Sequence, residues 1–227
     1  EIDPSQVKAI DAGNSALGIL MNSGELYVAT TNNGADNGVG TTTKNATFTK
    51  VKLDATTPLT GITDFQISQT GIFAYSKTNN KFYTWGTHTF LGDGTAKANR
   101  TYATEMTNPL PVGVTAKQIE VTVENTVSGT AYYVLGSDKK LYALGSNGVG
   151  QLGNNTTVDS KIWINTLNPA GTADLTDVNF ISASHSYDRY PGISAILTNK
   201  RLVGWGDSGL GMIGLISSGA KLPTPVL

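Results

Sequence analysis

Two hydrophobic patterns run through the chain. In the first, apolar residues take every second place: Ile119, Val121 and Val123 are interleaved with Gln118, Glu120, Thr122 and Glu124, the period-2 signature of a β-strand with one buried face. In the second, short runs are apolar throughout, as in Ile72-Phe73-Ala74-Tyr75, Ala131-Tyr132-Tyr133-Val134-Leu135 and Ala195-Ile196-Leu197. Such a strand is expected to be covered on both faces. The longest apolar stretches, such as Ala16 to Met21, are about six residues, against roughly 20 for a helix that spans a bilayer, so no membrane insertion is predicted.

The order of these runs repeats. The hydrophobic-aromatic pairs Leu26-Tyr27, Phe82-Tyr83 and Leu141-Tyr142, with Leu202-Val203 as a weaker fourth, are spaced by 56, 59 and 61 residues. Before each stands a polar turn: Asn22-Ser23-Gly24-Glu25, Thr78-Asn79-Asn80-Lys81, Ser137-Asp138-Lys139-Lys140 or Thr198-Asn199-Lys200-Arg201. These turns carry the Asn, Asp and Gly that hairpins use for positive φ. After each pair come Thr30, Gly86, Gly145 or Gly206, a Gly-rich loop, and a more alternating run such as Thr47-Phe48-Thr49-Lys50-Val51 or Lys161-Ile162-Trp163-Ile164, suited to a half-exposed outer strand. That makes about four strands in each of four repeats, approximately 7-61, 62-115, 116-177 and 178-227. A sandwich leaves one face of each sheet in water, whereas stacked propeller blades cover both faces of their middle strands. The fold class expected is therefore all-β, a β-propeller forming a partial ring in one domain.

Composition narrows the partners. Of 227 residues, 15% are charged, with a formal net charge of -1, against a usual charged share of about 25%. No polybasic tail is present, so nucleic acid is not an expected partner. With no cysteine there is no disulfide framework, thiolate nucleophile or Cys-based zinc site. The Asn-x-Thr triplets at Asn45, Asn99 and Asn154 are what an Asn- and Thr-rich chain contains by chance, and no glycosylation site is assigned to them.

The glycines of Gly148-Val149-Gly150-Gln151-Leu152-Gly153 could cradle phosphate, but that chemistry needs a strand leading into a helix N-terminus. Here Asn154-Asn155-Thr156-Thr157 and a strand-like run follow, so tight turns and close packing are the better reading. Asp36-Asn37-Gly38 and Asp93-Gly94 look faintly like calcium loops and lack the ligand count of a complete site. His88 and His185 lie in different repeats with no second histidine at ligand spacing. No Gly-x-Ser-x-Gly elbow and no carboxylate pair suggests catalysis. The expectation is a non-enzyme with no catalytic residue, cofactor or metal.

Leu141-Tyr142-Ala143-Leu144-Gly145-Ser146-Asn147 with Gly148 to Gly153 closely resembles the regulator of chromosome condensation repeat, an apolar-aromatic pair, Ala-Trp-Gly-x-Asn, then Gly-Gln-Leu-Gly. Tyr83-Thr84-Trp85-Gly86 with Leu91-Gly92-Asp93-Gly94, and Gly204-Trp205-Gly206 with Gly209 to Gly214, are similar. Repeat 1 is looser, with Ala29-Thr30 where Trp-Gly would stand. The resemblance makes Trp85, Gly86, Gly145, Asn147, Gly150, Gln151, Leu152, Gly153, Trp205 and Gly206 structural signature residues, the tryptophans filling the wedge between blades. It makes His185 a structural turn histidine. It also implies a ring that in this family typically has seven blades, which four repeats do not close. Either further blades of a longer chain or another copy would complete it, and the chain's ending at Leu222 to Leu227 favours the first.

From the first strand to the anchor pair, repeats 1 and 2 take 16 and 17 residues, and repeats 3 and 4 take 22 and 21. The extra residues fall in 124-130 and 185-192, loops that should emerge side by side on one propeller face. Tyr187, Asp188, Arg189 and Tyr190, with Asn125 and Thr126, are the candidate partner-binding residues, since Tyr and Arg are enriched at hot spots. The alternative is that these loops drift in length and pack locally. The resembling family includes an exchange factor for a small nuclear GTPase and bacterial secreted or surface propellers. Low charge, Thr/Asn/Gly richness and absent cysteine fit the second group, giving an extracellular or cell-surface module that binds a protein or a surface glycan. A structural segment of a surface appendage and a guanine-nucleotide exchange factor are the other readings.

Overall fold

The computed structural model describes residues 2–31, 36–123, 129–184, 191–207 and 220–226. Four consecutive antiparallel sheets of four strands each make four blades. Blade 1 holds β1 (Val7–Ala12), β2 (Ala16–Met21), β3 (Leu26–Thr30) and β4 (Asn45–Lys50). Blade 2 holds β5 (Asp64–Ile67), β6 (Gly71–Ser76), β7 (Lys81–Thr89) and β8 (Ala98–Met106). Blade 3 holds β9 (Ala116–Val123), β10 (Thr130–Gly136), β11 (Leu141–Gly145) and β12 (Ser160–Asn165), and blade 4 holds β13 (Val178–Ala183), β14 (Gly192–Leu197), β15 (Leu202–Gly206) and β16 (Ala220–Pro225). The sheets do not close a ring: the molecule is a partial propeller. In each blade strand order follows the chain, and the inner strands β1, β5, β9 and β13 approach one another in succession.

Apolar pattern explains the stacking. Strands β6, β10 and β11 are buried along their whole length, because each blade's two faces feed different cores. Trp85, Phe65 and Ile72 pack with Leu20, Leu26 and Val28 between blades 1 and 2. Phe73, Phe82 and Tyr132 pack between blades 2 and 3, and Tyr133, Leu141, Ile181 and Trp205 between blades 3 and 4. Strand β9 departs from its alternating pattern, since Glu120 and Thr122 are buried as well. Both face blade 4: Thr122 Oγ1 donates to the Ser184 carbonyl at 2.7 Å, and Glu120 Oε2 accepts from Ala183 N–H at 3.4 Å. Strand β14 departs the other way, for Ile196 is exposed on the side where no further blade stands.

Polar side chains seal the inner strand edges from blade to blade. Asp11 Oδ2 accepts from Ile67 N–H at 2.6 Å. Gln118 pairs with one residue of β13 as a strand would, its Nε2 donating to the Ile181 carbonyl at 2.6 Å and its Oε1 accepting from Ile181 N–H at 3.0 Å. The hairpin turns are left-handed at one equivalent place, Gly24, Asn80, Lys139 and Lys200, with φ of 82, 51, 63 and 65°. In repeats 3 and 4 that residue is a lysine rather than the neighbouring Asp138 or Asn199. Those two instead accept the N–H of Lys140 and Arg201, two residues on, the side-chain turn that Asp and Asn favour.

Candidate protein-interaction face

One end of the propeller carries the turns and the blade-to-blade connections; the other, the loop end, carries the Gly-rich loops. Each third strand enters its loop through a register shift at Thr30, Gly86, Gly145 or Gly206. Gly86, Gly145 and Gly206 have φ of 120, 113 and 91°, and a Cβ there would run into the carbonyls of Thr70, Thr130 and Pro191. The following residues Thr87, Ser146 and Asp207 donate their N–H to those same carbonyls, as Thr31 does to Ser15. The close approach is thus part of the strand pairing, and only glycine makes it without strain.

The blade 3 loop turns around Asn147. Its Nδ2 donates to Asn154 Oδ1 and to the carbonyls of Thr156 and Val158, while its Oδ1 accepts from Leu152 N–H at 2.9 Å. Gln151 is buried, its Oε1 accepting from Val149 N–H and its Nε2 donating to Ser146 Oγ. The Gln151 carbonyl receives Trp205 Nε1–H at 2.9 Å and the Tyr133 hydroxyl at 2.8 Å. Leu152 lies in the core, a Cβ on Gly153 would stand 2.8 Å from Trp205 Nε1, and one on Gly150 would stand 2.7 Å from Lys221 Cα. Asn147, Gln151, Leu152, Gly153 and Trp205 are thereby occupied with building the blade 3 loop and joining blade 3 to blade 4. Trp85 is buried in the same way between blades 1 and 2, donating to the Asp36 carbonyl at 2.9 Å. Trp163 takes the corresponding place between blades 2 and 3, its Nε1 donating to the Thr107 carbonyl at 2.7 Å.

Asp36 is the counterpart of Gln151, six residues after Thr30 as Gln151 is after Gly145. Its side chain has no amide. Oδ1 is buried without a hydrogen-bond partner among the described residues, as is Ser15 Oγ. Burial pushes the Asp36 carboxyl up to about 7, against the opposing influence of the nearby Ser15 hydroxyl. Asn37 is buried too, and donates to Thr41 Oγ1 and the Thr43 carbonyl, so the segment is a packed turn. Sequence reasoning weighed Asp36 only as part of a faint calcium loop and did not see its burial; its spacing from Thr30 was the available signal. Among the described residues no group of three or more His, Asp or Glu is placed to hold a metal ion, and no helix is long and apolar enough to cross a membrane.

Asn125, Thr126, Tyr187, Asp188, Arg189 and Tyr190 lie outside the described residues, and so does His185. The roots of their two loops are described and lie side by side. Thr122, at the end of β9, is bonded to Ser184, just past β13, and Gly192 N–H returns to Ser184 Oγ at 3.0 Å. His88, with φ 54°, sits where a Cβ on Gly129 would meet its carbonyl, and Asn99 Oδ1 accepts its backbone N–H at 3.0 Å. At the opposite end a depression of about 320 Å³ is lined by Lys8, Lys77, Lys117, Asp64 and Tyr75. Burial raises the Asp64 carboxyl to about 6; the Phe65 N–H opposes this, Glu120 and Asp11 add to it, and Lys8 works against it.

No protein-family model matches the chain, and no curated protein matches its sequence. Solved structures do match, over its whole length. Human WBSCR16 is 19% identical with a TM-score of 0.74, the chain covering 54% of it. Yeast Prp20p from Saccharomyces cerevisiae, in a study of its binding to Gsp1p and histones, is 15% identical with a TM-score of 0.75 and 52% covered. Yeast RCC1 (Prp20) bound to Kap60 is 14% identical with a TM-score of 0.73 and 50% covered. The fold is therefore that of the RCC1-type β-propeller, and the chain spans about half the length of the structures it matches.

Proposed function

We propose that this chain is a non-catalytic protein-binding module that receives its partner at the loop end, on the adjacent loops 124–130 and 185–192. One observation carries the reading: the Thr122–Ser184 bond roots the two longest loops of their kind next to each other. The frame beneath them is fixed by the signature residues. Tyr187, Asp188, Arg189 and Tyr190, with Asn125 and Thr126, supply the contacts; Tyr and Arg bring large, rigid or bidentate surfaces to such interfaces. The matched Prp20 structures, described with Kap60, Gsp1p and histones, support protein binding by a propeller of this type. Low charge, Thr/Asn/Gly richness and the absence of cysteine support an extracellular or cell-surface setting, as a bacterial adhesion module or a segment of a surface appendage that binds a protein or a surface glycan.

The test compares the chain with a Tyr187→Ala/Arg189→Ala double variant against immobilised surface proteins and glycans, and against small GTPases loaded with fluorescent nucleotide. The expected result is specific binding to a surface component that the double variant weakens by at least about tenfold, with an unchanged melting temperature. Unchanged affinity removes the two loops from the interface. Accelerated nucleotide release from a GTPase replaces the reading with an exchange factor.

A further inference from the structure

Where one blade meets the next, a side chain of the earlier inner strand covers the open backbone edge of the later one. Between blades 1 and 2, Asp11 Oδ2 accepts from Ile67 N–H at 2.6 Å. Between blades 3 and 4, Gln118 binds both backbone groups of Ile181, and Glu120 accepts from Ala183 N–H. In all three cases the accepting group is a planar carboxylate or carboxamide.

The junction between blades 2 and 3 lacks this cover at one equivalent place. Gly71, Ala131 and Gly192 lie opposite Gly86, Gly145 and Gly206 and set the common count. On that count Asp64, opposite Tyr75, is the counterpart of Gln118, opposite Leu135, and Ile119, opposite Val134, is the counterpart of Ile181, opposite Ala195. Asp64 does not reach across: its Oδ1 accepts from Phe65 N–H, on its own strand, at 2.9 Å. The alternation of antiparallel pairing turns the Ile119 N–H to the open inner edge, as it does that of Ile181. Among the described residues no side chain accepts it.

The depression of about 320 Å³ lies at this gap, lined by Ile119, Asp64, Tyr75 and the three lysines Lys8, Lys77 and Lys117. Lys8 and Lys117 are the extra residues of irregularities at the starts of β1 and β9, and a bulge re-aims the side chain it carries. Lys8 Nζ donates to the Thr63 carbonyl at 2.8 Å, and an ammonium has further donors to offer. Three lysines against one carboxylate leave the space cationic. Its walls belong to blades 1, 2 and 3, and blade 2, at its centre, packs against a neighbour on each side.

We propose that this depression binds an acidic side chain of a peptide or protein ligand, whose carboxylate accepts the Ile119 N–H and pairs with Lys77 and Lys117. The ligand carboxylate then plays toward Ile119 the part that Asp11 plays toward Ile67. Asp64 opposes such a ligand while it is ionised. Burial raises its carboxyl to about 6, against the Phe65 N–H; Glu120 and Asp11 add to this and Lys8 opposes it. Lys77, Lys117 and Tyr75 line the same space. Protonation of Asp64 removes the repulsion, so affinity rises as pH falls from about 7.5 to about 5.5, where a ligand glutamate, with its ordinary value of about 4.3, is still ionised. The site lies at the end opposite loops 124–130 and 185–192, so its test and that of the partner-binding reading fail separately.

The chain is titrated with a fluorescently labelled peptide of four glutamates, with its four-glutamine counterpart and with inorganic phosphate, following fluorescence anisotropy and the Ile119 amide by nuclear magnetic resonance. The expected result is saturable binding of the glutamate peptide, a shift of the Ile119 amide proton, and little or no binding of the glutamine peptide. Lys77→Ala/Lys117→Ala should weaken binding about fivefold or more with an unchanged melting temperature, since both side chains are exposed. Asp64→Asn should tighten binding at pH 7.5 and remove its pH dependence. No binding of the glutamate peptide, equal binding of the glutamine peptide, an Ile119 amide that does not move, or wild-type affinity in the double variant would overturn the proposal. So would an unchanged pH dependence in Asp64→Asn, or phosphate binding more tightly than the peptide, which marks a site for an inorganic anion.

Discussion

Asp36 and Gln151 fill one position of the repeat and differ in what their side chains can donate. Gln151 satisfies its own amide inside the loop, whereas Asp36 places a carboxylate in the same kind of buried space with Oδ1 unpaired. Its folded-state value, about 7, lies above the ordinary 3.8, so the folded chain holds this proton more tightly than the unfolded one. The stability this confers is fully present below about pH 3.8 and is lost as pH rises through about 7. Asp64 acts in the same direction, up to about 6. Urea unfolding should show the chain more stable at pH 5 than at pH 8. Asp36→Asn, neutral at every pH, should raise stability at pH 8 by up to about 4 kcal/mol and leave only the decline due to Asp64, complete by about pH 6. An unchanged pH profile in the variant would show that Asp36 does not carry the effect. The aspartate itself was visible in the sequence; that its partner-poor position is buried was not, because burial there is made by blade 2 and by Trp85, from residues far along the chain.

Between blades, the inner strands are joined by side chains that imitate a neighbouring strand. Gln118 supplies one donor and one acceptor to Ile181, covering a strand edge that would otherwise need water. Gln118→Ala should lower stability by about 1–2 kcal/mol, two modest hydrogen bonds less partial replacement by solvent, measured by denaturant midpoint at constant slope. Gln118→Glu, which turns a carboxylate oxygen on the Ile181 carbonyl and on the Glu120 carboxylate that Gln118 Nε2 now donates to, should lower it further at neutral pH. No loss in either variant would mean that water replaces the clamp at no cost. At this scale the strands were legible: the outer runs near Phe48 and Trp163, the fully covered β6 and β10, and the turns before each anchor all follow from period and turn chemistry. Cross-blade effects were not legible. The alternation of β9 marks Glu120 and Thr122 as solvent-facing, and blade 4 covers them; the apolar run of β14 marks Ile196 as covered, and no blade does so. Period reports what a residue is, not which neighbour the ring provides.

Across the whole molecule, blades 2 and 3 are packed on both faces and blades 1 and 4 on one, so stability should be graded along the stack, as in other arrays of neighbour-only contacts. Hydrogen exchange at low concentration should find the slowest amides in β6, β10 and β11 and faster ones in β2 and β14. Uniform protection across the four blades would contradict the gradient. The four-repeat architecture was open to sequence reading because the anchors recur at nearly constant spacing. The proposed partner contacts stay a sequence argument, resting on residues whose chemistry is legible and which lie outside the described residues. The junctions also have an order in time. Gly40, Gly94 and Asn155 each donate to an outer strand of the following blade, at Thr101, Lys161 and Lys221. Every such loop is synthesised before the strand it covers, by roughly 3–13 s at about 5–20 residues per second. Strands β8, β12 and β16 therefore emerge from the ribosome toward a cover that already exists, which shields their edges from pairing with other nascent chains.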